Sequence, residues 1–238
     1  MRIIYSVFVW PALALNTVIL SCIGAVCLLF GKNIFFGLAK LWAKINMLIF
    51  AVRYDIEGME KLDPNKNYVF MGNHLSYVDI FLLLAIINKD FLFMAKEELF
   101  KIPFFGFAIR ALGIIPINRG ESRDALKSLF AAAKKIQDGY SVLLFPEGTR
   151  SPDGEMLPFK RGAFTLAVRT GHDIAPFVLE GTERSLAKGS FLANPFQKVR
   201  VRFLDPVSPG GLKDRDLLVL IRERMEDEQK ELRDSWVR

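Results

Sequence analysis

The chain holds two histidines. One of them, His74, opens the run His74-Leu75-Ser76-Tyr77-Val78-Asp79, five residues ahead of an aspartate. An imidazole titrates near neutrality and can take a proton from a hydroxyl, and a carboxylate on its other nitrogen orients and charges it. Such a pair is the working half of an acyl-transfer site, and it needs no serine of its own if the substrate brings the hydroxyl. Ser76 is a weak nucleophile candidate, because no Gly-x-Ser-x-Gly elbow surrounds it. A zinc site lacks ligands, since His172 follows a glycine at an expected helix end.

Spacing constrains how His74 and Asp79 can meet. On one continuous helix, five positions turn the side chains about 140° apart. They meet if His74 lies in the turn before a helix. Ser76 then reads as the N-cap and Asp79 as the third helical position, a capping-box pattern that folds the aspartate back toward the histidine. A second reading stays open, in which Asp79 only caps the helix and His74 only fills a turn.

Positive charge follows later in the chain. Gly113-Ile114-Ile115-Pro116-Ile117-Asn118-Arg119-Gly120 is an apolar run ending in an arginine, which can fork onto a phosphate. Leu143-Leu144-Phe145-Pro146-Glu147-Gly148-Thr149-Arg150-Ser151 repeats the design, with Gly148 permitting close backbone approach and Arg150 free to hold an anion. Glu180-Gly181-Thr182 follows another apolar strand, so Glu-Gly-Thr alone is weak and the unit Phe-Pro-Glu-Gly-Thr-Arg carries the signal. Lys96 ends a further apolar run and can add charge to the same rim. Lys160-Arg161-Gly162 precedes a helix and can meet a phosphate or a headgroup. Each of these cations also reads as an ordinary solvated residue.

These residues need a frame. Strands are expected at Tyr68–Met71, Phe91–Met94, Gly113–Ile117 and Ser141–Phe145, and near Ile174–Leu179 and Val199–Phe203. Helices are expected at Ile80–Ile87, Asp124–Gln137 and Arg161–Thr170, and from Leu212 to about Ser235. Short apolar strands alternating with helices give an α/β domain with a mainly parallel or mixed sheet flanked by helices. Such sheets place ligand sites at the carboxyl ends of strands, where the motifs fall. Pro176, inside Ile174–Val178, points to an edge or irregular strand.

Residues 53–238 carry this pattern, and residues 1–52 differ. Ile3 to Phe30 has no charged residue and as a helix is roughly 40 Å long. Ile34 to Val52 is also apolar apart from Lys40 and Lys44. Pro11 is expected to break the first stretch. A single Arg2 and an over-long apolar core make a poor cleaved signal, so the two stretches read as membrane-anchoring helices, either spanning the bilayer or forming a hairpin in one leaflet. A formal charge of +6 suits an anionic lipid surface. Interspersed charges without an aromatic-basic motif argue against nucleic acid. Cys22 and Cys27 lie in the apolar segment and suggest neither a disulfide framework nor a metal site.

Together, Asn-His-x-Ser-x-x-Asp, Gly-Ile-Ile-Pro-Ile-Asn-Arg, Phe-Pro-Glu-Gly-Thr-Arg-Ser and an Ile-x-Pro-x-Val strand resemble the four-block pattern of the glycerolipid acyltransferases, most nearly the bacterial lysophosphatidate acyltransferases. The resemblance implies His74 as general base and Asp79 as its orienting partner. It implies that Arg119, Glu147, Gly148, Thr149 and Arg150 bind the acceptor, with Arg150 and Lys96 on its phosphate, and that Pro176 shapes the pocket. It implies lysophosphatidate as acceptor, acyl-CoA or acyl-acyl carrier protein as donor, and no cofactor or metal. It also implies a two-helix element held in the membrane bilayer, with the site at the cytoplasmic face, in bacteria that of the inner membrane. Ala-Pro-Phe-Val stands where Val-Pro-Val is usual, so a bulky Phe177 is expected to bear on substrate fit. Another lysophospholipid, glycerol 3-phosphate or a lyso-aminolipid is the alternative acceptor, and a non-catalytic membrane-binding module is the alternative of a different class.

Overall fold

A computed structural model describes residues 1–118 and 122–235. Two helices, α1 (Arg2–Cys27) and α2 (Lys32–Ile49), lead into β1 (Arg53–Glu57), β2 (Val69–Gly72), α3 (Val78–Ile86) and β3 (Phe91–Lys96). Then come α4 (Phe105–Leu112), β4 (Ile115–Ile117), α5 (Ser122–Gln137), β5 (Ser141–Leu144) and α6 (Gly162–Thr170). The chain continues through β6 (Ile174–Glu180), α7 (Thr182–Ser185), β7 (Lys198–Phe203) and α8 (Asp214–Asp234).

The strands form one sheet in the order β1-β7-β6-β2-β5-β3-β4. Neighbours pair in parallel except β6 with β7. The α/β class and the helices flanking a mainly parallel sheet are as the alternation of elements implies. Because β6, β2, β5, β3 and β4 run in one direction, their carboxyl ends share one edge of the sheet, and the motif-bearing turns leave from that edge.

Alternation along each strand builds two apolar layers. Phe70, Phe177 and Phe203 face α2, α3 and α4, where Phe50, Phe81 and Leu82 complete the core. Val69, Met71, Val142 and Val178 face α5, α6 and α8, where Ile136, Phe164 and Ile221 close the other layer.

Three expectations are corrected. Pro176 sits on β6, an interior strand between β7 and β2, not at an edge. Its missing N–H is tolerated because β6 and its partner chain are out of step there. Between the Phe177–Phe203 pair and the Ile174–Val207 bridge the partner chain carries one extra residue, a bulge where a ladder bond is not required. Gly113 belongs not to a strand but to the left-handed cap (φ 84°) of α4. Pro11 does not break α1, which runs unbroken through it. Proline costs that turn one hydrogen bond, and contacts on both sides hold the helix: the Tyr5 hydroxyl donates to Ile49 O (2.6 Å) and the Trp10 indole to Phe191 O (2.8 Å). Lys40 donates to Asn88 O (2.8 Å) and pairs with Asp90 (2.9 Å), tying α2 to the turn before β3.

The α1–α2 hairpin closes on small and polar side chains rather than on a leucine seam. The Phe35 ring lies so close to Gly24 that a Cβ there would stand 2.4 Å from it. Asn16 donates to Asn46 Oδ1 (2.9 Å) and the Trp42 indole to Thr17 (3.0 Å). Small residues and interhelical polar bonds are what hold helices together where lipid removes the hydrophobic drive. Among the described residues Arg2–Phe30 is the one helical run long and apolar enough to cross a membrane, and little of it is buried.

Candidate active site

His74 stands in the turn between β2 and α3, and Asp79 lies in the first turn of α3. Nδ1 of His74 meets Asp79 Oδ2 at 2.7 Å with the carboxylate wholly buried. The capping reading explains the approach. Asp79 Oδ2 also accepts the N–H groups of Leu75 (2.7 Å) and Ser76 (2.9 Å), and Ser76 Oγ accepts the N–H of Val78 (3.2 Å). The regular helix begins at Val78 with Tyr77 as its N-cap, so the expected placement is off by one: Asp79 is the second helical residue, not the third, and Ser76 lies one residue before the cap. Half of the capping-box pattern is kept, Asp79 reaching back to the Ser76 N–H, while Ser76 Oγ takes Val78 rather than Asp79. The two open readings do not exclude each other: the oxygen that takes the N–H groups of the turn also holds the imidazole.

The other carboxylate oxygen, Oδ1, accepts the hydroxyl of Thr182, a fully buried residue at the start of α7. The Ser76 hydroxyl donates to Leu186 O (2.7 Å), and the Asn73 amide pairs twice with the backbone of Leu179 (2.8 and 2.7 Å). The end of β6 is thus sewn to the turn carrying His74. The imidazole stacks on Phe145, centroids 3.9 Å apart and planes within 10°. Phe145 meets Phe177 edge-on at 6.4 Å. Phe177 is core, with no exposure, and its ring crosses Gly72, where a Cβ would be 2.0 Å from it. The bulk expected to bear on substrate fit is spent behind the histidine.

Glu147 was read as an acceptor-binding residue, but its carboxylate points beneath the turn. One oxygen accepts the N–H of His74 (2.8 Å), the other that of Leu157 (3.0 Å). Burial, opposed by those two N–H donors, pushes its pKa up to about 7. His74 is held again from the same loop, since its carbonyl accepts the N–H of Ser151 (2.7 Å).

Around this pair the rim is cationic. The Arg150 guanidinium lies over the Tyr77 ring, 3.8 Å from its centroid, and Lys188 donates to Arg150 O (2.7 Å). Gly148 holds φ 71°, and the end of the Lys160 side chain passes 2.9 Å from where its Cβ would be. Thr149 is exposed. Arg161 is committed elsewhere, in a two-pronged bond to Asp214 (2.8 and 2.7 Å). Lys96 ends β3, two strands from β2 and so on the order of 10 Å across the sheet. It pairs with Glu98 at 2.9 Å. Arg119 lies outside the described residues.

An apolar cavity of about 530 Å³ lies between the N-terminal helices and the sheet domain; neither His74 nor Asp79 lines it. Tyr77 and Leu186 stand on its wall nearest the site, and Val18, Phe35 and Leu38 line it between the two N-terminal helices.

The acyltransferase family profile matches residues 53–180, more than half the chain, and spans His74, Asp79 and the Phe145–Arg150 loop. The chain belongs to the acyltransferase family. Its relatives include the chloroplastic 1-acyl-sn-glycerol-3-phosphate acyltransferase of Brassica napus, 39% identical over 64% of this chain and 44% of that protein. The mouse 1-acyl-sn-glycerol-3-phosphate acyltransferase alpha is 33% identical over 82% of this chain and 69% of that one. This chain therefore spans less than half the length of the plant relative. Among solved structures, the 1-acyl-sn-glycerophosphate acyltransferase of Thermotoga maritima superposes with a TM-score of 0.88 at 27% identity, covering 98% of each chain.

Within this acyltransferase-family site, Thr182 and Phe145 are what the sequence reading missed. Phe145 was legible only as the strand residue before Pro146. Thr182 was discounted because its tripeptide repeats that of Glu147. Two apolar strands ending in the same Glu-Gly-Thr were the available signal that both ends serve one place.

Proposed function

We propose that this protein transfers a fatty acyl group from acyl-CoA or acyl-acyl carrier protein to the sn-2 hydroxyl of 1-acyl-sn-glycerol 3-phosphate, giving phosphatidate. The observation that carries the reading is the 2.7 Å bond between His74 Nδ1 and a buried Asp79 carboxylate. With Nδ1–H donating to Asp79, proton transfer falls to Nε2. Nε2 takes the hydroxyl proton as the oxygen attacks the thioester carbonyl. Collapse of the tetrahedral species forms the ester and breaks the C–S bond, and the leaving thiolate receives the proton from the imidazolium. Asp79 stabilises that imidazolium, and Phe145 keeps the ring in plane. The donor is a substrate, so the scheme uses no cofactor and no metal.

The acceptor phosphate belongs with Arg150, Thr149 and the Gly148 turn, where Lys160 adds charge; Arg119 is assigned to the acceptor by the sequence motif alone. Lys96 is the weakest member, being paired with Glu98. Glu147 acts from beneath by holding the His74 backbone. The apolar cavity suits a fatty acyl chain, and its walls from α1 and α2 put it where lipid enters. The exposed apolar face of α1 supports membrane association. Both N-terminal helices lie along the catalytic domain, which favours a hairpin in one leaflet over a span. The site then faces the cytoplasm, where both donors are found.

The test is purified protein in vesicles with labelled lysophosphatidate and each donor, followed by product mass, with lysophosphatidylethanolamine and glycerol 3-phosphate as rival acceptors. Phosphatidate should dominate. Arg150→Ala should raise the apparent KM for lysophosphatidate more than it lowers kcat. Absence of product with every donor, or preference for a rival acceptor, would overturn the assignment.

A further inference from the structure

Among the described residues three that are not glycine hold a left-handed φ: Ala51 (48°), Phe104 (60°) and Phe196 (61°). Two of the three are phenylalanines, and both are exposed, Phe104 at 45% and Phe196 at 69%. A left-handed backbone strains a bulky residue, and a ring in water forgoes burial. Glycine would relieve the first problem and a polar residue the second. A chain that keeps phenylalanine at both positions is using the rings where they point.

The neighbours say where that is. The N–H of Phe196 donates to Ala51 O (3.0 Å), joining two of these residues at the foot of α2. Five residues earlier, Phe191 is 77% exposed, although its carbonyl is fixed by the Trp10 indole at 2.8 Å. Arg2 donates to Asn194 (3.1 Å). The 191–196 segment is thus strapped along the first turns of α1, whose Ile3, Ile4, Val7 and Phe8 are exposed in turn. Phe104 precedes α4, which packs on α1, and Ile102 and Phe107 beside it are also exposed. Both elements thus adjoin α1, the 191–196 segment through Arg2 and Trp10 and the Phe104 turn through α4, and the exposed Lys188 and Arg2 flank the 191–196 segment.

We propose that the 191–196 segment and the Phe104 turn are membrane-inserting elements in their own right, entering the same lipid surface as α1. The left-handed backbone at 104 and 196 aims the two rings at lipid. The inference rests on the membrane reading of α1, and it assigns part of the anchoring to the catalytic domain itself. Exposed aromatic rings rimmed by cations are the side chains that enter an anionic interface.

The test uses the full chain with vesicles of phosphatidylethanolamine and phosphatidylglycerol, comparing wild type with Phe196→Gly, Phe104→Gly, the double variant and Phe196→Trp. Glycine relieves the backbone, so Tm should hold or rise, while vesicle partitioning should fall about tenfold for each ring removed. Phe196→Trp should keep wild-type partitioning. For Phe196→Gly, turnover of a long-chain acceptor embedded in vesicles should fall with partitioning, and turnover of a short-chain soluble acceptor should stay within about twofold. Wild-type partitioning in the double variant would overturn the proposal, as would equal loss on soluble and embedded acceptor. Loss of self-association on sedimentation with unchanged vesicle binding would assign the rings to a second copy of the chain and likewise overturn it. Failure of the wild type itself to bind vesicles would remove the membrane reading of α1, and this inference with it.

Discussion

Glu147-Gly148-Thr149 and Glu180-Gly181-Thr182 are the same tripeptide after two strands of the same sheet, and the protein uses them in opposite ways. Both glycines are left-handed, at φ 71° and 94°, so the backbone turn is the same device. In the first copy the glutamate works: Glu147 reaches under the neighbouring turn to hold the N–H of His74, and Thr149 stands in solvent. In the second the threonine works: Thr182 is buried on Asp79, and Glu180 turns away to Arg233 (2.9 Å) and Arg184 (3.3 Å). One copy steadies His74 and the other steadies Asp79. The tripeptide sets the turn, and the neighbouring strand decides which of its side chains matters. Burial raises the pKa of Glu147 against the pull of its two N–H donors, and Glu180 is paired with two arginines.

That contrast has content only if the pair both turns serve is catalytic. His74→Ala should therefore lower kcat/KM by roughly a thousandfold or more while the protein still partitions to vesicles. Near-wild-type turnover would leave the two turns supporting nothing. Next in size is Glu147→Gln. The amide can accept only one of the two backbone N–H bonds and sets an NH₂ against the other. A cost of about 1–3 kcal/mol in stability and a loss of kcat up to about 100-fold through misplacement of His74 should follow. A silent substitution would mean that His74 is held by Ser151 alone.

Thr182→Val removes one donor from a buried carboxylate and should cost about 1.5–3 kcal/mol, with kcat/KM down roughly tenfold. Thr182→Ser should restore most of it. An equal effect from Val and Ser would assign the residue to packing. A smaller effect is expected in pH dependence. Glu147 has a folded pKa of about 7 against an ordinary 4.5, so the native state keeps a proton that the unfolded chain releases. Its contribution is full below about 4.5 and is lost as pH rises to about 7, on the order of 3 kcal/mol at most. Denaturant midpoints from pH 4 to 8 should show that decline in wild type and a flatter profile in Glu147→Gln. Smallest of all, Thr149→Val should leave stability within about 0.5 kcal/mol, any effect being confined to the KM for the acceptor. A large loss of stability there would erase the asymmetry between the two turns.

Much of the frame was legible because it is written in local periodicity. The strands at β2, β3, β5, β6 and β7, the long helices α5 and α8 and the shorter α6 follow from apolar runs and their punctuation. The meeting of His74 with Asp79 followed from Ser-x-x-Asp. β1 escaped because Arg53–Glu57 is exposed throughout and paired on one side only, so it has no apolar signature. α4 escaped because Pro103, Gly106 and Gly113 punctuate it like a loop. Pro176 misled because its tolerance comes from a bulge some thirty residues downstream, which no local pattern announces. Glu147 was recognised as important, but its direction depends on the neighbouring turn. Thr182 was hidden by distance, 103 positions along the chain from the carboxylate it serves.

Gly72 and Phe177 fit as one volume shared between two strands. Neither can drift alone: a methyl at 72 meets the ring, and a small residue at 177 leaves a hole behind Phe145 and the imidazole. Across the lineage that carries this sequence the two positions should therefore be inherited as a unit. Chains with valine in place of Phe177 should be free to carry alanine or serine at 72, and those with phenylalanine should keep glycine there. A substitution in the fourth block should thus come with a matching one two residues before His74, a historical signature that a collection of related sequences can read directly.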